Sequence, residues 1–126
     1  MAHERVYQDD DPLLVQLRPI CLGLPESCEV EAWGRPTFRA GPKKLFVIYT
    51  ADRNRPHSMV FKPDADERQA LVQDERFFVP PYFGASGWLA LDFTIGTVDW
   101  TEVAELADSS YRRVALKRML TVLDAQ

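Results

Sequence analysis

The sequence is short of the residues from which most metal and nucleophilic centres are built. It holds two cysteines, Cys21 and Cys28, and two histidines, His3 and His57. Neither pair has the spacing of a zinc site, so no metal and no cofactor is expected. The thiols read as reduced, with Cys21 on an apolar helix face. His57 is the one histidine within the expected fold. No nucleophile or carboxylate can be assigned to it from sequence, and its place in a basic loop suits a surface contact better than catalysis. Six glycines form neither a phosphate loop nor a dinucleotide fingerprint, and no H-E-x-x-H pair occurs. Gly84-Ala85-Ser86-Gly87-Trp88 looks superficially like a nucleophile elbow, but Trp88 stands where that turn needs a second glycine. An enzyme is therefore not expected. No apolar run approaches the ~18–20 residues of a membrane helix. The polar start Met1-Ala2-His3-Glu4-Arg5, leading into Asp9-Asp10-Asp11, is not a secretory signal, so a cytoplasmic location is expected.

What remains is an ordinary globular composition. A chain of 126 residues, 46% of them apolar, is the size of one domain and can bury a core without disulfides. The expected organisation is a flexible N-terminus over 1–10 and one domain over 11–126.

Asp11-Pro12 is a helix start, with a capping carboxylate followed by proline at the first helical position. Leu13, Leu14, Leu17, Ile20, Cys21 and Leu24 form an apolar stripe, ended by Gly23 and Pro25. Strands are expected at Cys28 to Trp33, Thr37 to Ala40, Lys44 to Ala51 and Ser58 to Lys62, joined by turns at Gly34-Arg35-Pro36, Gly41-Pro42-Lys43 and Asp52 to Pro56. Short connections between successive strands suggest an antiparallel meander. A short helix follows, capped by Asp64 or Asp66 and running to about Gln73 with Ala70 and Leu71 turned inward. Residues 74–87 read as a long aromatic loop and Trp88 to Phe93 as a further strand. Asp99-Trp100-Thr101-Glu102 is a capping box. It opens a long C-terminal helix running to about Leu123, whose apolar stripe shifts phase at Leu116. The fold class is therefore α+β: an N-terminal helix, a meander sheet, a short helix, a further strand and a long C-terminal helix.

Net charge is −4, which disfavours a nucleic-acid partner when taken over the whole chain. Its distribution is uneven. Residues 35–62 carry seven basic side chains, Arg35, Arg39, Lys43, Lys44, Arg53, Arg55 and Lys62, against one acidic, Asp52. Residues 63–111 carry ten acidic groups against two basic. Because salt screens charge over roughly 8 Å, a phosphate near 35–62 meets mainly that segment.

Several stretches resemble the MmcQ/YjbR family of small bacterial proteins. They are Cys21-Leu22-Gly23-Leu24-Pro25-Glu26, Gly34-Arg35-Pro36-Thr37-Phe38-Arg39, Phe61-Lys62-Pro63-Asp64, Phe77-Phe78-Val79-Pro80-Pro81-Tyr82 with Gly87-Trp88, Asp108 to Tyr111, and Lys117-Arg118-Met119-Leu120. The resemblance spans roughly residues 12–120. It implies an α+β fold with two projecting hairpin wings, and DNA binding on the strength of that double-wing shape. Many members place a proline just before the Lys-Arg pair; here the position reads Ala115-Leu116, so a straight helix is expected.

Two surfaces follow as candidates. The first is a DNA-contacting set, Arg35, Arg39, Lys43, Lys44, Arg53, Arg55 and Lys62, with Lys117 and Arg118 as a second contact; Lys and Arg supply most non-specific affinity for phosphate. The same side chains would also keep sheet edges soluble. The second is a small-molecule pocket formed by Phe77, Phe78, Tyr82 and Trp88, residues that would equally seal the core beneath a long loop. A third reading, a protein-interaction adaptor, requires an exposed apolar face on the C-terminal helix.

Overall fold

Alternation along the strands sets the sheet, and one irregularity decides what each of its faces carries. The computed structural model describes residues 4–83 and 86–126. Helix α1 (Pro12–Leu22) leads into β1 (Ser27–Ala32), β2 (Arg35–Ala40), β3 (Lys44–Tyr49) and β4 (Ser58–Phe61). Helix α2 (Ala65–Leu71), β5 (Phe77–Phe78), β6 (Leu89–Asp92), α3 (Trp100–Val114) and α4 (Lys117–Asp124) follow. The six strands form one antiparallel sheet in the order β1-β2-β3-β4-β6-β5. Gly84 and Ala85 of the elbow-like stretch, and residues 1–3, lie outside the described residues.

The first face is covered by α1 and α3. Phe38, Phe46, Val47, Tyr49, Met59, Phe61, Leu89 and Leu91 pack there against Leu14, Leu17, Val103, Ala107 and Tyr111. Cys21 is buried among them, and that burial pushes its thiol well above the usual range. A bulge lies in β3: Phe38 faces Val47 and Arg39 faces Leu45, leaving Phe46 without a partner on β2. Phe46 and Val47 thus both reach the core, while Leu45 turns to the second face. On the β4 side the ladder ends at Val47 and Phe61, which leaves the next carbonyl and amide to find other partners. The buried Ser110 hydroxyl of α3 takes them up, donating to the Phe46 carbonyl at 2.6 Å and accepting from the Lys62 amide at 2.9 Å.

The caps form largely as the sequence leads one to expect. Asp11 accepts from the Leu13 amide at 2.9 Å and Asp64, not Asp66, from the Glu67 amide at 2.7 Å. Ala70 is exposed rather than turned inward, and Leu71 packs half-buried on the core. Asp99 accepts from the amides of Thr101 and Glu102. The Glu102 carboxylate does not close the box; it binds the Arg76 guanidinium at 2.7 Å.

Three features depart from expectation. The long loop over 74–87 contains β5, whose Phe77 and Phe78 pair with Leu91 and Ala90. The C-terminal helix is not continuous to Leu123: Ala115 and Leu116 are extended, with ψ of 151° and 154°, and the chain folds back into α4. The phase shift of the apolar stripe marks this break. A straight helix would carry Met119, Leu120 and Leu123 away from the core, whereas the reversal buries Met119 to 1% exposure and seats the other two against it. Arg112 spans the reversal, binding Asp124 at 2.8 Å. The interruption thus falls where many members of the resembling family have a proline, although this chain has none there. Finally, the folded unit starts ahead of the expected boundary at Asp11. Tyr7 joins the core, the Val6 amide donates to the Gly34 carbonyl at 2.9 Å, and Arg5 and Tyr7 both bind Glu31.

Gly34 is required by that docking. Its φ is +75°, and a Cβ there would stand 1.9 Å from the Glu4 carbonyl oxygen. Gly34→Ala should lower stability by at least ~1 kcal/mol, read as a fall in the denaturation midpoint; an unchanged midpoint would mean the N-terminal segment does not dock. Ser110→Ala leaves the buried Phe46 carbonyl without its donor and the half-buried Lys62 amide without its acceptor, and should cost about 1–3 kcal/mol, measured by urea unfolding.

Candidate nucleic-acid interface

No helix covers the second face of the sheet. A row of directly opposed residues crosses it from Val30 through Thr37, Ile48, Val60 and Ala90 to Phe78. Phe78, Phe83 and Trp88 pack over its centre, held by an edge-on contact between Phe83 and Trp88 at 6.2 Å. Basic side chains flank the row. Arg39 lies beside it, its Nε donating to the Thr37 hydroxyl at 3.2 Å. Lys62 follows Phe61 in the alternation and so falls on the same face. Arg35 sits on the other flank, its Nη1 donating to the Ala51 carbonyl at 2.8 Å. Arg55 stacks on Phe78, with the guanidinium 3.9 Å from the ring centre.

The two hairpins project from opposite ends of β3, as a meander requires. Lys43 and Lys44 are exposed at the β2–β3 turn, and Arg53 and Arg55 lie in the β3–β4 connection. Six residues of strand separate them, on the order of 20 Å. The hairpins therefore cannot grip one point together: Arg39, opposite Leu45, and Lys62, just past the Val47–Phe61 pair, join Lys43 and Lys44 at the start of β3, whereas Arg35 joins Arg53 and Arg55 at its end, two basic groups spaced along the strand. Lys117 and Arg118 are brought to the Lys43–Lys44 end, where Arg118 lines a recess with those lysines, Leu116 and Met119. Arg118 is compensated there by a two-pronged pair with Glu26, at 2.9 and 3.1 Å. Arg53 reaches Glu4 at 3.5 Å, a pair exposed on both sides and of little strength.

The other six cations of the 35–62 segment have no carboxylate partner among the described residues. Elsewhere Arg5, Arg18, Arg76 and Arg112 are each paired, Arg18 with both Asp9 and Glu29 and Arg76 with both Asp74 and Glu102. Two carboxylates stand near the Arg55 end, Asp52 and Asp92, and each is occupied by amides of its own turn.

The expected aromatic set is only partly assembled. Phe77 belongs to the first face: it is buried edge-on to Phe61 at 6.0 Å, because adjacent strand residues point to opposite sides. Phe78 and Trp88 lie on the second face, half-buried, and Tyr82 stands 95% exposed. Trp33, which reads from sequence as the end of β1, joins Tyr82, Phe83 and Arg35 around a cleft of about 460 Å³. His57 lies away from these groups. Its Nδ1 is 3.3 Å from Asp11 Oδ2, which also accepts the Tyr49 hydroxyl at 2.6 Å. Burial and that bond push the Tyr49 phenol up. The arrangement ties the start of α1 to the sheet. The apolar stripe of α3 is spent in the core, with Val103, Ala107 and Tyr111 fully buried, while Leu116 and Val122 farther along are exposed. Among the described residues no helix is long and apolar enough to cross a membrane, and no cluster of three or more metal-ligating side chains occurs.

The model of the YjbR family matches residues 22–113. The chain belongs to the YjbR family. Its fold is similar to the crystal structure of a Deinococcus radiodurans protein with the DUF419 domain, with a TM-score of 0.67 and 23% identity over 80% of this chain and 77% of that one. Comparison with curated proteins gives no match.

Hydrogen bonds from cations hold several carboxylates below their ordinary range: Glu26 through Arg118, Asp74 through Arg76, Asp9 through Arg18, and Glu31 through Tyr7 and then Arg5. A carboxylate lowered in the folded state contributes stability above its unfolded pKa and loses it as pH falls through the folded value. The melting temperature should therefore hold from pH 7 to about 5 and fall below about pH 4. A flat Tm down to pH 3 would mean these pairs do not form in solution.

Proposed function

We propose that this YjbR-family protein binds DNA through backbone phosphates, along the stripe formed by Lys43, Lys44, Arg39, Lys62, Arg35 and Arg55. It is a binding role without catalysis. One observation carries it: among the described residues five of the eight lysines and arginines outside the 35–62 segment pair with a carboxylate, whereas only one of the seven within it does. A stripe ~20 Å long passes roughly six phosphates of one strand. The double-wing shape of the resembling family supports the same reading, with the correction that the wings mark the two ends of the stripe.

Fluorescence anisotropy of labelled DNA across a salt series tests this. With four or five phosphates neutralised, log K should fall with log salt at a slope of about −4. Replacing Arg39, Lys43, Lys44 and Arg55 together with Ala should weaken binding about equally for different sequences and flatten the slope by about 3–4. Arg113→Ala, on α3 and away from this face, should change neither. Unaltered affinity in the fourfold variant would sink the site.

A further inference from the structure

The cleft at one flank of the stripe has more in it than phosphate binding needs. Trp33 and Gly34 form the two-residue turn between β1 and β2, and both have positive φ, +56° and +75°. Turns of this type take Asn, Asp or Gly at the first position; a tryptophan held left-handed there is strained. Tyr82 is also left-handed, with φ of +70°. Neither ring is spent in the core, Trp33 remaining 43% and Tyr82 95% exposed. Trp33 leans edge-on against Phe83 at 6.0 Å, and Phe83 is itself fixed by Trp88. Rings are thus presented outward by backbone that resists presenting them.

Arg35 supplies the cation. Its Nη1 is pinned to the Ala51 carbonyl, yet its buried Nε has no hydrogen-bond partner. No carboxylate pairs with it among the described residues. The Nε atom is sealed off from the cleft, but the side chain as a whole lines it, and a guanidinium with no carboxylate partner can pair there with an anion. Burial already lowers the guanidinium's pKa, an unfavourable setting for a charge left unpartnered.

We propose that the cleft of Trp33, Tyr82, Phe83 and Arg35 takes an unstacked nucleobase together with its phosphate, making the protein a binder of single strands in preference to duplex. The inference rests on the phosphate-binding reading of the stripe and names its ligand. Stacking suits planar π-faced groups; the arginine demands an anion; a cleft of about 460 Å³ is of the size that small-ligand sites have. Its position on a row of cations calls for a chain of phosphates, not an isolated aromatic acid. Bases in a duplex are stacked inside and out of reach. A single strand can lay its backbone along β3 and turn a base onto Trp33, the arrangement by which aromatic platforms hold single strands.

The test compares a fifteen-nucleotide oligo(dT), a duplex of equal length and thymidine monophosphate, by anisotropy and by tryptophan fluorescence. The wild-type protein should bind the single strand about ten-fold or more tighter than the duplex at equal salt, with quenching that Trp33→Gly removes. Glycine suits that turn, so the variant keeps the fold. Trp33→Gly combined with the exposed Tyr82→Ala should bring the single strand down to the duplex level while leaving the salt slope unchanged. Equal affinity for strand and duplex, or a preference that survives the double variant, overturns the cleft but leaves the phosphate stripe standing. If neither form of DNA binds near 50 mM salt, the stripe fails as well. Monophosphate binding as tight as that of the oligonucleotide would confirm the base-and-phosphate chemistry while overturning the strand as its source.

Discussion

The seating of α3 against the sheet depends on the hydroxyl of Ser110. The ladder between β3 and β4 ends at Val47 and Phe61, and the Phe46 carbonyl and Lys62 amide just beyond it would otherwise be left unpaired. Ser110 closes the gap from α3 as donor to one and acceptor to the other. The next residue, Tyr111, packs edge-on to Phe46 at 5.4 Å and donates its hydroxyl to the Pro25 carbonyl. One turn of helix thus fixes the helix on the sheet, satisfies the end of the ladder and ties the end of α1. With the bulge in place β3 turns Phe46 and Val47 together into the core, and Leu45 stays beside Arg39 on the second face. A shift of one residue exchanges the faces of a strand.

Much of this fold was legible because local signals and burial agreed. Asp11, Asp64 and Asp99 cap helices, and the meander follows from short turns between alternating runs. What was not legible depends on partners distant in sequence. Nothing local says that Tyr7 completes the core, because the polar residues around it read as a tail; the docking shows only when Gly34 is seen to need space for the Glu4 backbone. The end of α3 was misread for a related reason. Ala115 and Leu116 are good helix formers, and propensity carries a helix through them. Tertiary burial of Met119 outweighs that preference, and only the shifted stripe hinted at it.

The candidate surface divides along the same line. Charge of one sign over 35–62 was visible in the sequence, but a meander sends alternate turns to opposite ends, so proximity in sequence did not mean proximity in space. The pairing of Arg118 with Glu26 joins residues far apart in the chain, which makes the C-terminal basic pair weaker as an anion site than its composition suggests. Phe77 and Phe78 were grouped because they are adjacent, and adjacency in a strand is what separates them. Trp33 passed for the last residue of β1. Its signal was the Trp-Gly pair between two alternating runs, a turn with an aromatic at the position that favours Asn or Asp.

A protein of net charge −4 can still gather cations locally, because several of its acidic groups are engaged elsewhere. Glu26, Glu29, Glu31, Asp9, Asp74 and Glu102 accept hydrogen bonds from cations or Tyr7 on the first face, at the helix ends or in loops. Each such pair is nearly neutral beyond a Debye length of roughly 8 Å. The field over the second face is then set by the side chains that have no partner. Net charge measures the whole chain, whereas the DNA strand proposed along β3 would meet mainly the side chains of that face, Asp52 and Asp92 included. The sign that matters to it is decided by which arginines found a carboxylate, and along that strand almost none did.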